Sequence, residues 1–188
     1  MAAIIQCLFI LVKGGKILSM TRAVFAGSFD PPTNGHINII QRAAALFDFV
    51  DVVIAVNSEK KYLFSREERQ KMIKGLVEPL SNVCVNIYSG LVVEYAKKTG
   101  AKVLIRGIRG DADFSYEFEL SMMNRMLNPA VETLFIPAEQ KYLLLKSSTI
   151  KELAALGGDI SEMVPPEVGK ALLAKYENIP GLQHESKV

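Results

Sequence analysis

Two histidines, two cysteines and a formal net charge of only +2 among 188 residues narrow the chemistry at once. Cys7 and Cys84 share no metal-ligand spacing with each other or with His36 and His184, which argues against a Cys/His zinc site. They also suggest no disulfide framework, which fits a reducing cytoplasm. With His184 near the chain end, two histidines give no basis for a Ser-His-Asp arrangement. The small net charge makes no global case for binding nucleic acid. No apolar run is long enough to span a bilayer: Ala2 to Val12 is apolar except for Gln6 but stops at Lys13. Lys13 and Lys16 follow that run instead of preceding it, so it lacks the basic start of a signal peptide. Internal repeats and low-complexity segments are absent as well.

What remains is globular. Apolar residues make up 49% and charged residues 22%, enough for one domain with a sizeable core. The expected division is an N-terminal extension over 1–19, a single domain over 20–177 and a loose polar tail over 178–188. The extension is either a non-essential product of an upstream start or an added edge strand or interface-covering segment.

Along the domain, strands alternate with helices. Strands are expected at Arg22 to Phe25, Val50 to Val56, Val83 to Ile87, Val103 to Ile105 and Glu132 to Ile136. Helices are expected from Ile37 to Phe47, after a Ser65/Glu68 capping box, from Leu91 to Lys98 with Gly100 as its stop, and from Phe114 to Leu127. Further helices begin at Ser147, as N-cap, and near Val168. This is the pattern of one Rossmann-like domain with a five-stranded parallel sheet flanked by helices. The Phe114 to Leu127 helix is apolar on two faces, which points to core or subunit interface.

The most informative stretch is Gly27-Ser28-Phe29-Asp30-Pro31-Pro32-Thr33-Asn34-Gly35-His36. A strand breaking into a Gly/Pro turn and re-forming as a helix creates unpaired N–H groups and positive dipole, suited to phosphate. Asn34 is a plausible N-cap, and His36 falls in the helix's first turn, able to donate to a phosphate oxygen. Other polar residues gather where strands should end: Lys60 and Lys61, Arg106 and Arg109, Lys146 to Thr149. Arg106 and Arg109 sit around a glycine, a placement that favours phosphate over a structural ion pair. The duller reading of the lysine pair is a solvated turn, and of Glu117 a solvated helix residue.

These strings resemble a known family. The pattern G-[ST]-F-D-P-x-x-x-G-H is similar to the nucleotidyltransferase superfamily signature, with Asn34 at its first histidine position as in phosphopantetheine adenylyltransferases. NSEKKYLFSREER, VLIRGIRGDADFSYEFELSMMNR and SSTIKELA resemble that branch in order and spacing, from about Arg22 to Tyr176. The resemblance implies transfer of AMP from ATP to 4′-phosphopantetheine, giving dephospho-coenzyme A and pyrophosphate, in a cytoplasmic homohexamer. Mg²⁺ would enter through the ATP phosphates, with no protein ligand of its own. Dephospho-coenzyme A or coenzyme A would bind as product or feedback ligand.

It also implies site residues. His36, Lys60 and Arg109 would be catalytic. ATP would meet Ser28, Phe29, His36, Gly107, Ile108, Arg109, Glu117 and the run Tyr142, Leu143, Leu144, Leu145, Lys146, Ser147, Ser148. The acceptor would meet Ser28, Lys60, Leu91, Val92, Arg106, Leu120 and Asn124. Lys146 stands where the family carries a serine, and Gly90 where an acidic residue is common. Two rivals are a transferase acting on nicotinate mononucleotide and a non-catalytic sensor of adenine nucleotides.

Overall fold

The computed structural model describes residues 20–177, so the expected extension over 1–19 and the tail over 178–188 lie outside the described residues. Five strands, β1 (Arg22–Gly27), β2 (Phe49–Ala55), β3 (Val83–Tyr88), β4 (Val103–Ile108) and β5 (Glu132–Pro137), pair in parallel in the order β3-β2-β1-β4-β5. Between and after them run α1 (Asn34–Leu46), α2 (Arg66–Val77), α3 (Val92–Thr99), α4 (Asp111–Leu127), α5 (Ser147–Ala155) and α6 (Pro166–Glu177). A short 3-10 turn spans Gln140–Tyr142.

The continuous apolar strands follow from a sheet covered on both faces. In β1, Phe25 packs with Ile39, Ile40 and Ala43 of α1 and Ile73 of α2, whereas Val24 and Ala26 pack with Val93 and Ala96 of α3. Adjacent residues thus point to opposite cores, the period-2 rule of a strand. Ile54 and Ile105 are fully buried, and each contributes about 1.5–3 kcal/mol relative to an exposed side chain. A third cluster, with Phe64, Ile150, Val164, Val168 and Leu172, packs α5 and α6 against the loop before α2.

Strand order positions the site. The chain steps outward from β1 to β2 to β3, then returns to set β4 on the other side of β1. That reversal opens a crevice at the carboxyl ends of β1 and β4, where ligands of such sheets bind.

Several local expectations change. The N-cap of α1 is Thr33, not Asn34, whose side chain donates instead to the Glu162 carbonyl at 2.9 Å and whose N–H donates to the Met163 carbonyl at 3.0 Å. Lys146, not Ser147, is the capping position of α5, and it makes no side-chain cap. Helix α4 buries none of its residues; Tyr116, Met123 and Leu127 are exposed and Met126 is 83% exposed. Among the described residues its two apolar faces are therefore not core.

Candidate active site

The turn joining β1 to α1 is held rigidly. Phe29 adopts φ of 48°, an uncommon conformation for a bulky residue. Its ring lies 1% exposed beneath Gly27, where an added Cβ would come within 3.0 Å of it. Asp30, the carboxylate of the motif turn, is buried. It accepts the Leu63 and Phe64 N–H groups at 3.0 and 2.9 Å and pairs with Lys151 of α5 at 2.8 Å. Ser147 donates its hydroxyl to the Pro31 carbonyl at 2.8 Å. The turn is thus tied both to the loop before α2 and to the start of α5.

His36 completes a capping box in which its ring takes the place usual for Glu or Gln. Its N–H donates to Thr33 Oγ1 at 3.3 Å, while its Nδ1 accepts the Thr33 N–H at 3.0 Å and lies 2.9 Å from Thr33 Oγ1. An accepting Nδ1 leaves Nε2 as the donor of the neutral ring. Burial, and secondarily the Arg109 charge, lowers the imidazole pKa to about 4. The ring is therefore neutral at physiological pH. The Phe29 ring packs edge-on against it at 5.1 Å.

Two cavities adjoin at this point. The first, of about 330 Å³, is lined by Gly27, Thr33, Gly35, His36, Arg106, Gly107, Arg109, Glu117, Tyr142, Leu145, Lys146, Ser147 and Ser148, among others. Tyr142 approaches so closely that a Cβ at Gly35 would lie 3.4 Å from its own Cβ. The second cavity, of about 230 Å³, is lined by Gly90, Leu91, Val92, Arg106, Glu117, Leu120, Ser121 and Asn124 with strand residues beneath. Arg106 and Glu117 belong to both and form the wall between them.

That wall is an ion pair, contrary to the expectation that these arginines lack structural partners. Arg106 Nε and Nη2 each donate to a Glu117 carboxylate oxygen, and Nη1 donates to the Ala26 carbonyl at 3.0 Å. Glu117 is accordingly no solvated helix residue. Arg109 likewise grips Asp113 at 2.7 and 3.1 Å and donates to the Leu145 carbonyl at 3.0 Å. A guanidinium has five N–H donors, so three bonds on each arginine leave two for a ligand.

The structure gathers most expected site residues, but not all. Ser28, Phe29, Lys60, Ile108, Leu143 and Leu144 line neither cavity. Lys60 is exposed on the loop after β2. Phe29 packs on Gly27 and His36. Residues missed at the sequence level are Thr33, Lys151 and Arg69. Thr33, next to a plausible Asn cap and three before a histidine, carried a readable signal; the other two look like ordinary surface helix residues.

Comparison with known proteins gives first the class. The Cytidylyltransferase-like family matches residues 24–153, which hold the motif turn, both arginines and the start of α5. A Vibrio parahaemolyticus protein crystallised as a candidate nicotinate-nucleotide adenylyltransferase shares the fold, with a TM-score of 0.63 at 20% identity over 85% of this chain and 97% of its own. The phosphopantetheine adenylyltransferase of Clostridium tetani is 48% identical over 159 residues, 85% of this chain and 99% of that protein. That of Heliobacterium modesticaldum is 45% identical over 157 residues, covering 84% and 94%. The chain belongs to the phosphopantetheine adenylyltransferase family.

Proposed function

We propose that this protein transfers the adenylyl group of ATP to 4′-phosphopantetheine, releasing pyrophosphate and forming dephospho-coenzyme A for coenzyme A biosynthesis. The observation that carries the reading is the pair of cavities sharing the Arg106–Glu117 wall. One is lined by phosphate-binding groups and the other by a mostly apolar channel past Leu91, Val92 and Leu120. ATP fits the first and the pantetheine arm the second, with their phosphates meeting at the wall.

The acceptor phosphate is already anionic at neutral pH, so it needs alignment more than a base. Arg106 aims one phosphate oxygen at the α-phosphorus, and Lys60 and Ser28, which line neither cavity, would join it by reaching in from their loops. As that P–O bond forms, the bond to the β-phosphate breaks, and pyrophosphate leaves with the electron pair. His36 donates from Nε2 to the α-phosphate as charge builds there. Arg109 and the N-terminus of α5, beside Lys146, Ser147 and Ser148, hold the departing phosphates. The Ser147 hydroxyl proton is engaged by Pro31, so its part is through the backbone N–H. Leu143 and Leu144 would cover the nucleotide only by moving inward, and Gly107 and Ile108 would bound its adenosine.

Among the described residues no three His, Cys, Asp or Glu side chains converge, and the carboxylate lining both cavities is engaged by Arg106. These donors fit magnesium carried on the triphosphate better than magnesium held by the protein. Bound there, it would neutralise charge on the pyrophosphate.

The exposed apolar faces of α4 are assigned to contacts between subunits, in a homohexamer. Dephospho-coenzyme A would span both cavities, and coenzyme A would compete there as a feedback ligand. No helix among the described residues is long and apolar enough to cross a membrane, and a cytoplasmic site of action suits the metabolites.

Pyrophosphate release from ATP and magnesium tests the reading, with 4′-phosphopantetheine and nicotinate mononucleotide as parallel acceptors. Release with phosphopantetheine alone is expected. Release with nicotinate mononucleotide alone would move the specificity, and none with either despite ATP binding would indicate a nucleotide-binding module without catalysis.

A further inference from the structure

Arg69 is the only arginine or lysine among the described residues that is buried, at 1% exposure. Ion pairs among the described residues do not include it. A buried charge without a counter-ion is costly and is retained only where its hydrogen bonds repay it. Its donors go to two carbonyls: Nη1 to Ser28 at 2.7 Å and Nε to Ser65 at 3.3 Å. The guanidinium also lies over the Tyr62 ring, 4.0 Å from its centroid.

These partners lead to the acceptor side of the site. Ser28 belongs to the motif turn. Tyr62 closes the loop that carries Lys60, because its hydroxyl accepts the Asn57 N–H at 3.0 Å. Within that loop the Asn57 side chain accepts the Glu59 N–H at 2.9 Å, and the Asn57 carbonyl accepts the Lys60 N–H at 3.2 Å. One rigid fork on α2 therefore touches both the Ser28 backbone and the base of the Lys60 loop. A lysine could not hold a carbonyl and stack flat on a ring at once.

We propose that Arg69 is a positioning residue for the acceptor phosphate, fixing Ser28 and the Lys60 loop relative to each other through the Ser28 carbonyl and the Tyr62 ring. The proposal rests on the reading that Ser28 and Lys60 meet the acceptor. The nucleotide-side groups are held further along the same turn, His36 by Thr33 and Ser147 by Pro31, whereas the Lys60 loop serves the acceptor alone. Loss of Arg69 or Tyr62 should thus act on the two substrates unequally.

The test measures both KM values and kcat for Arg69→Met, Arg69→Lys, Tyr62→Leu and Tyr62→Phe, with thermal melting as the check on folding. Tyr62→Leu is expected to raise the KM for 4′-phosphopantetheine about tenfold while the ATP KM stays within about twofold. Tyr62→Phe, which keeps the ring and loses the Asn57 bond, should give a smaller shift of the same kind. Arg69→Met should exceed both and Arg69→Lys should recover part of the loss. If Arg69→Met fails to fold, the Tyr62 pair decides. Unchanged acceptor KM in both Tyr62 variants, or equal movement of the two KM values, would overturn the proposal while leaving the enzyme's activity standing. Wild-type protein that never uses 4′-phosphopantetheine would overturn the functional reading itself, and the proposal with it.

Discussion

His36→Ala lowers turnover about 100-fold or more while ATP affinity changes little, because a single donor aimed at developing charge is worth that much in the transition state and little before it. The geometry adds a complication. The same ring caps α1 by accepting the Thr33 N–H, and losing a cap costs about 0.5–2 kcal/mol of stability. His36→Gln separates the two effects, since glutamine at this position can complete a capping box without placing a donor where Nε2 stood. It should recover the lost stability and remain slow. Wild-type turnover in either variant would remove His36 from the chemistry.

The protonation state can be followed independently. In the folded protein the His36 pKa is lowered to about 4, against about 6.5 for an unfolded histidine. Between those values the folded state binds fewer protons. The stability tied to the neutral ring is thus complete above about pH 6.5 and is lost as pH falls through about 4. NMR titration should show one histidine with a midpoint near 4, rising when ATP brings phosphate charge to the ring.

Arg106→Ala is expected to raise the KM for 4′-phosphopantetheine by about 10- to 100-fold, the worth of one or two charge-assisted hydrogen bonds. The KM for ATP should move far less. Here too a second effect must be separated. Removing Arg106 leaves the Glu117 carboxylate, only 14% exposed, without its partner beside both phosphate positions. An unpaired anion there repels substrate by itself. The double variant Arg106→Ala/Glu117→Gln should regain part of the lost affinity without reaching wild type. Equal movement of both KM values in the single variant would contradict the division into an ATP cavity and an acceptor cavity.

The alternation of buried strands and helices was readable because parallel strands covered on both faces leave a long apolar imprint, as in Val50 to Ile54. Loops at strand ends followed from that alternation, which is why the sequence alone groups His36, Arg106, Arg109, Ser147 and Ser148. What stayed hidden depends on contacts between distant parts of the chain. Thr33 and Asn34 are both good caps; Asn34 is drawn away by the Glu162 and Met163 carbonyls, which no local rule reveals. Asp30 is a carboxylate in the motif turn whose partners, Leu63, Phe64 and Lys151, all come from distant parts of the chain. Arg69, in a run of charged residues opening α2, gives no local sign of being buried. The Arg106–Glu117 pair joins a strand end to a helix face across a turn whose geometry the sequence leaves open. The apolar stripes of α4 were evident, but only the fold shows that none of their residues is buried among the described residues.

A crystal structure with dephospho-coenzyme A bound tests the central claim most directly, since the product contains both halves. Its adenylate should lie beside His36, Gly107 and Arg109, its pantetheine arm along Leu91, Val92, Leu120 and Asn124, and its pyrophosphate linkage at the Arg106–Glu117 wall. Both halves within one cavity, or the arm running past Tyr142 to Ser148, would contradict it.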